Sequence, residues 1–168
     1  MTLLPRERKI KSIGELAKIA KEFKKEGRTI VLAHGIFDLV HPAHIHYLEQ
    51  SKKLGDVLVV STVEDRYVRK GPGRPFFWED MRSRWLAAFE VVDFVTFCGD
   101  VGPYNILRKI KPHFYTKGES SRAGLVDPKS GISEDKRVCE EVGTKLVFTK
   151  ELPLHSSEIF EKIVKIFD

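Results

Sequence analysis

Two histidines, His41 and His44, follow the segment Gly35-Ile36-Phe37-Asp38 and flank Pro42 and Ala43. Proline is favoured in the first turn of a helix, so the pair falls at a helix N-terminus. Residues three apart on a helix lie on one side of it. The free N–H groups of that turn and the helix dipole, about half a positive charge, attract an anion. Two imidazoles beside them suit a phosphate whose charge changes during a reaction. Gly35 lets the backbone approach a ligand closely or take a positive φ. Two plainer readings remain open at this point: a zinc site, which lacks a third ligand at a fitting spacing, and a histidine cap beside a core histidine. His46 lies two residues beyond His44, points elsewhere, and is read as structural.

Other phosphate-binding patterns are absent from the sequence. There is no GxxxxGK[ST], no GxGxxG after a strand, and no serine nucleophile elbow. Lys52, Arg74, Arg82 and Lys117 are, by residue type alone, ordinary surface charges, and Ser156 reads as a helix N-cap. Trp85 and the Phe76-Phe77 pair read as packing, whereas Trp78 has the chemistry to cover a base.

The elements that position these residues alternate along the chain. Ser12 and Glu15 have capping-box spacing and Gly27 is a fitting stop, which gives an opening helix over 12–27. Thr29 to Ala33 is a continuous apolar run, as expected of a strand covered on both faces. A helix follows from Pro42 to Gly55, then a strand over 56–62, a loop through Gly71-Pro72-Gly73-Arg74-Pro75, and a helix over 79–90. Strands are expected over 93–97, 114–116 and 144–149, and helices over 104–110 and 133–142, with a polar loop over 120–131. A closing helix spans 156–167. Strand–helix alternation calls for right-handed crossovers and a parallel sheet with helices on both faces. The expected class is therefore α/β, a Rossmann-like, doubly wound, five-stranded parallel sheet in one domain over 1–168. Ligands in such sheets sit at the carboxyl ends of the strands, near the switch point.

The 168 residues are 42% hydrophobic and 32% charged, which excludes collagen-like, disordered and disulfide-scaffold classes. Cys98 and Cys139 are far apart and lack metal-ligand spacing, which favours a reducing, cytoplasmic setting. No run approaches the ~20 apolar residues of a membrane span, and the first residues carry no apolar stretch of signal-peptide length. Lys and Arg exceed Asp and Glu by 29 − 24 = 5, with the signs mixed along the chain. That pattern fits a solvated surface or a local polyphosphate pocket better than a nucleic-acid stripe.

The ordered set Gly35-Ile36-Phe37-Asp38, His41-Pro42-Ala43-His44, Leu54-Gly55-Asp56, Lys70-Gly71, Arg74-Pro75, Arg82, Val92-Asp93, Lys111-Pro112 and Lys117-Gly118 spans nearly the whole chain. It resembles the cytidylyltransferase-like nucleotidyltransferases and their G-x-F-D-x-x-H-x-G-H signature. Within them it is most similar to heptose 1-phosphate adenylyltransferase domains, and also to glycerol-3-phosphate cytidylyltransferases. The resemblance implies that His41 and His44 stabilise charge at the attacked α-phosphorus and that Lys52 and Arg82 also reach phosphate. It implies nucleotide contacts from His34, Gly35, Ile36, Phe37, Lys117, Gly118, His155, Ser156 and Ser157, and acceptor contacts from Arg74 and from Asp38, whose other reading is to order the loop. Magnesium would arrive mainly on the triphosphate, and a homodimer is expected, with no membrane or nucleic-acid partner and no protein-bound metal. The sequence departs from the pattern at Ala43 for the signature glycine, at His34 for an asparagine, at Glu119 after Lys117-Gly118, and at His155 and Glu158. The readings left standing are adenylyl transfer to a heptose 1-phosphate-type sugar, cytidylyl transfer to a small phosphate such as glycerol 3-phosphate, and nucleotide binding without turnover.

Overall fold

The computed structural model describes residues 5–150, 152, 154 and 156–167. Five strands, β1 (Ile30–Gly35), β2 (Val57–Thr62), β3 (Phe94–Phe97), β4 (Phe114–Gly118) and β5 (Lys145–Thr149), form one all-parallel sheet in the order β3-β2-β1-β4-β5. The helices are α1 (Ile13–Lys25), α2 (Pro42–Lys52), α3 (Glu79–Ala88), α4 (Tyr104–Ile110), α5 (Gly131–Val142) and α6 (Ser156–Phe167). The doubly wound class read from the sequence is borne out. The apolar runs of β1 and β2 are fully covered because each alternates its side chains between two cores. Ile30 and Leu32 join Val57 and Val59 under α1, α4 and α5. Val31 and Ala33 join Leu58 and Val60 under α2 and α3.

Local chemistry explains the boundaries. Ser12 caps α1: its hydroxyl accepts from Glu15 N at 3.2 Å, while Glu15 Oε2 accepts from Ser12 N at 2.9 Å. At Gly55, after α2, a Cβ would meet Thr29 O and Thr29 Cγ2 at 2.8 Å, so only glycine lets the chain turn this close to the entry of β1. Two expectations need correction. The polar loop over 120–131 is a 3-10 helix from Glu119 to Val126, followed by Ser130 as the cap of α5, its hydroxyl accepting from Ser133 N. β1 and β4 each run two residues further than expected, so His34, Gly35, Lys117 and Gly118 are the last residues of strands.

A polar seam fixes α2 against the sheet. Tyr47 Oη donates to Thr116 O at 2.7 Å, and the Ser51 hydroxyl lies 2.8 Å from Thr116 Oγ1. All three side chains are buried. Unmatched hydroxyls in that setting are costly, so the seam permits few rotations of α2 about its axis.

Candidate active site

The sheet order reverses between β1 and β4, and a cavity of about 580 Å³ opens at their carboxyl ends. Into it come the ends of β1 (His34, Gly35) and β4 (Lys117, Gly118) and the β1–α2 loop with Ile36, Phe37, Asp38 and His41. The first turns of α2 add Ala43, His44 and Tyr47, and the loop after β2 adds Lys70 and Arg74. Ser121, Leu152 and Leu154 also line the cavity.

His41 is the N-cap residue of α2 and its side chain makes no capping hydrogen bond, so the histidine-cap reading fails. The imidazoles of His41 and His44 lie with ring centroids 3.9 Å apart. His44 packs against Phe37 as well, with centroids 5.4 Å apart, and its Nδ1 is buried without a hydrogen-bond partner among the described residues. Burial, then the neighbouring His41, then Lys70 push the His44 pKa down to about 4. His44 is thus neutral at pH 7. Phe37 takes φ 52°, a left-handed conformation that costs a non-glycine residue about 1–3 kcal/mol. Its buried ring holds that turn in place. A Cβ on Gly35 would meet this ring at 3.1 Å.

Asp38 organises the loop opposite. Its Oδ1 accepts from Phe76 N at 2.7 Å and Phe77 N at 3.1 Å, and its Oδ2 lies 2.8 Å from Arg74 Nε. Arg74 also stacks over the Phe76 ring at 4.2 Å. Asp38 is the only carboxylate lining the pocket among the described residues, and these contacts engage it. At the far end, His34 Nδ1 lies 2.7 Å from Ser61 Oγ, and burial, then Lys117, lower its pKa to about 3.

Two expected site residues stand elsewhere. Lys52 lies eleven residues beyond His41, about 16 Å along α2, at the amino ends of the strands. There its ammonium donates to Asp93 Oδ2 at 2.6 Å and Asp56 O at 2.7 Å. Arg82 is 0% exposed. Its guanidinium donates to Phe77 O, Ile36 O, Thr62 Oγ1, Val63 O and Asp65 Oδ1, at 2.6 to 2.9 Å. It braces the signature loop from beneath and offers the pocket no free donor. Trp78 is 71% exposed and lines no part of the cavity, while Trp85 packs edge-on against Phe77 as expected. His155 lies outside the described residues. Ser156 and Ser157 begin α6, but their side chains lie outside the description.

Lys70 is the pocket cation that the resemblance included in its motifs without giving it a role in the site. Its signal was its place in the Gly-Pro-Gly loop after β2, a carboxyl-end loop by the rule for open α/β sheets. Among the described residues, no three His, Cys, Asp or Glu side chains gather as a metal site, and no helix is long and apolar enough to cross a membrane.

Comparison with known proteins follows the same lines. The chain is 38% identical over 141 residues to the bifunctional protein HldE of Desulfatibacillum aliphaticivorans, covering 83% of this chain and 27% of that protein. It is 41% identical over 114 residues to the bifunctional protein HldE of Campylobacter fetus, covering 67% of this chain and 24% of that one. The chain therefore spans about a quarter of the length of these relatives. A lipopolysaccharide core biosynthesis protein from Thermoplasma volcanium shares the structure with TM-score 0.59 and 30% identity, over 77% of this chain and all of that one. A pantoate–β-alanine ligase from Francisella tularensis, at TM-score 0.59 and 18% identity, over 94% of this chain and 78% of that one, shares the fold alone. The sequence pattern of one family, described as cytidylyltransferase-like, matches residues 32–162. With its signature loop, its switch-point cavity and that match, the chain belongs to the cytidylyltransferase-like family.

Proposed function

We propose that the chain is a nucleotidyltransferase. A phosphate oxygen of a phosphorylated sugar attacks the α-phosphorus of a nucleoside triphosphate, and pyrophosphate leaves. The best-supported form is adenylyl transfer to a heptose 1-phosphate-type acceptor. The observation that carries the reading is the convergence of His41, His44, Lys70 and Arg74, with the N-terminus of α2, on one cavity at the β1/β4 switch point.

The acceptor phosphate is already ionised at neutral pH, so no strong general base is needed. What the reaction needs is alignment and stabilisation of the charge that shifts towards the leaving pyrophosphate. The neutral His44 imidazole donates its N–H group, and the approaching phosphates raise its affinity for a proton. Lys70 and Arg74 supply fixed positive charge. With Asp38 engaged by Arg74 and two backbone N–H groups, the described pocket offers no carboxylate pair for magnesium, so we treat the ion as part of the substrate, magnesium triphosphate. The buried free cysteines Cys98 and Cys139 support a reducing, cytoplasmic setting. A homodimer and the absence of a nucleic-acid partner belong to the same proposal.

The test is pyrophosphate release from ATP, CTP, GTP and UTP, each crossed with a panel of sugar and polyol phosphates. Release with ATP and a heptose 1-phosphate supports the reading. Release only with CTP and glycerol 3-phosphate replaces the substrates. Triphosphate binding without release from any pair refutes turnover.

A further inference from the structure

Lys117 lines the cavity, yet the group that determines where its ammonium stands lies outside it. We infer that Asp135 is a positioning residue: its carboxylate, fixed by the Tyr115 hydroxyl, sets the place of the Lys117 ammonium at the β4 end of the pocket. The inference rests on reading that pocket as a nucleotide site.

Tyr115 and Lys117 are two apart on β4 and so project from the same face of the sheet. That face packs against α5, which carries Asp135. Tyr115 Oη donates to Asp135 Oδ2 at 2.8 Å, and Lys117 Nζ lies 3.9 Å from the same oxygen. Tyr115 is fully buried and Asp135 is 4% exposed, whereas the Lys117 side chain is 23% exposed and reaches the cavity. A buried carboxylate is costly to maintain, and burial raises the pKa of this one while Lys117 and the Tyr115 hydrogen bond oppose the rise. The acidic neighbour Glu134 is turned away into a pair with Arg137, and Glu141 pairs with Arg108. Among the described residues, Lys117 is the cation that Asp135 meets. A separation of 3.9 Å is beyond a direct hydrogen bond. The lysine is therefore tethered without being consumed, and its donors stay available to a ligand. The tether also keeps Lys117 from swinging towards the phosphate-binding end marked by His41, His44 and Lys70.

The test is a double-mutant cycle of Asp135→Asn and Lys117→Met, with Tyr115→Phe as a variant that keeps the ring and loses the hydroxyl. KM and kcat for ATP are measured with thermal melting. Asp135→Asn is expected to raise KM about tenfold, within the coupling known for residues in contact, with kcat nearly unchanged. Tyr115→Phe should shift KM in the same direction by less, and it carries the test if Asp135→Asn does not fold. In the Lys117→Met background, each second change should alter KM less than about twofold. Additive effects in the cycle, or a melting loss without a KM change, overturn the inference. A parent that binds ATP without releasing pyrophosphate refutes the transfer reaction alone, and the same cycle is then read as ATP affinity by calorimetry. A parent that binds no triphosphate overturns both.

Discussion

The imidazoles of His41 and His44 lie 3.9 Å apart at the first turn of α2. Two protonated rings at that distance would repel, and the depressed pKa of His44 reflects this together with burial. A triphosphate reverses the balance. Its binding at pH 6 is expected to be accompanied by proton uptake, measured as a dependence of calorimetric heat on the ionisation enthalpy of the buffer. His44→Ala should abolish most of that uptake. His41→Ala and His44→Ala should each lower turnover roughly a hundredfold or more while the proteins stay folded, the scale of losing one preorganised charge stabiliser. Near-normal pyrophosphate release from both variants would remove them from the site.

The same burial makes folding sensitive to acid. In the native protein His44 and His34 protonate only near 4 and 3, whereas in the unfolded chain they do so near 6.5. Between those values the unfolded state binds more protons, so stability falls as pH drops from about 6.5 towards 3. Chemical denaturation at pH 7.5, 6, 5 and 4 reads this directly. His34→Gln should flatten the slope, and an unchanged slope in that variant would place its origin elsewhere.

Arg82 serves the fold. Replacing it with alanine removes the donor to the Phe77 and Val63 carbonyls and leaves Ile36 O with the Thr62 hydroxyl alone. The expected loss is about 3–5 kcal/mol, which for a chain of this size lowers Tm by roughly 10 °C. Arg82→Lys should recover little, because one ammonium cannot span the fork. Melting curves decide the matter, and a parent-like Tm for Arg82→Ala would show that the brace is dispensable.

Lys52, to which the resemblance gives a phosphate role, and Lys70, to which it gives none, should exchange importance. Lys52→Met is expected to leave kcat/KM within about twofold and to cost at most about 1 kcal/mol, since its pair with Asp93 is partly exposed. Lys70→Met should raise KM for the triphosphate or the acceptor at least tenfold. Steady-state kinetics of the two variants side by side tests both statements, and a larger effect at Lys52 would contradict the placement.

Much of the architecture was legible in the sequence because buried parallel strands leave continuous apolar runs, as at residues 30–33 and 57–60, and because Ser12, Gly27 and Pro42 mark helix ends. The signature loop was legible for a similar reason: a strand end, a glycine and two histidines before a helix leave few geometries. Lys52 misled because a match in sequence position carries no information about which end of a helix is near the ligand. Counting three turns from Pro42 would have placed it at the opposite edge. Arg82 gave no warning, since arginine is almost never fully buried and its acceptors, three backbone carbonyls and two side-chain oxygens, come together only in the folded chain. Asp135 is silent in sequence for the converse reason. Its partners, Tyr115 and Lys117, are about twenty residues away and meet it only when β4 packs on α5.

The seam of Tyr47, Ser51 and Thr116 has a consequence for transplantation. A designer who copied residues 34–44 onto another parallel sheet would reproduce the loop and its first turn but not the azimuth of the helix. One residue of rotation is about 100° on a helix of 3.6 residues per turn, enough to carry both imidazoles out of register with a phosphate. The smallest portable unit is therefore not the contiguous motif but the motif with two hydroxyls further along its helix and a threonine on the adjoining strand.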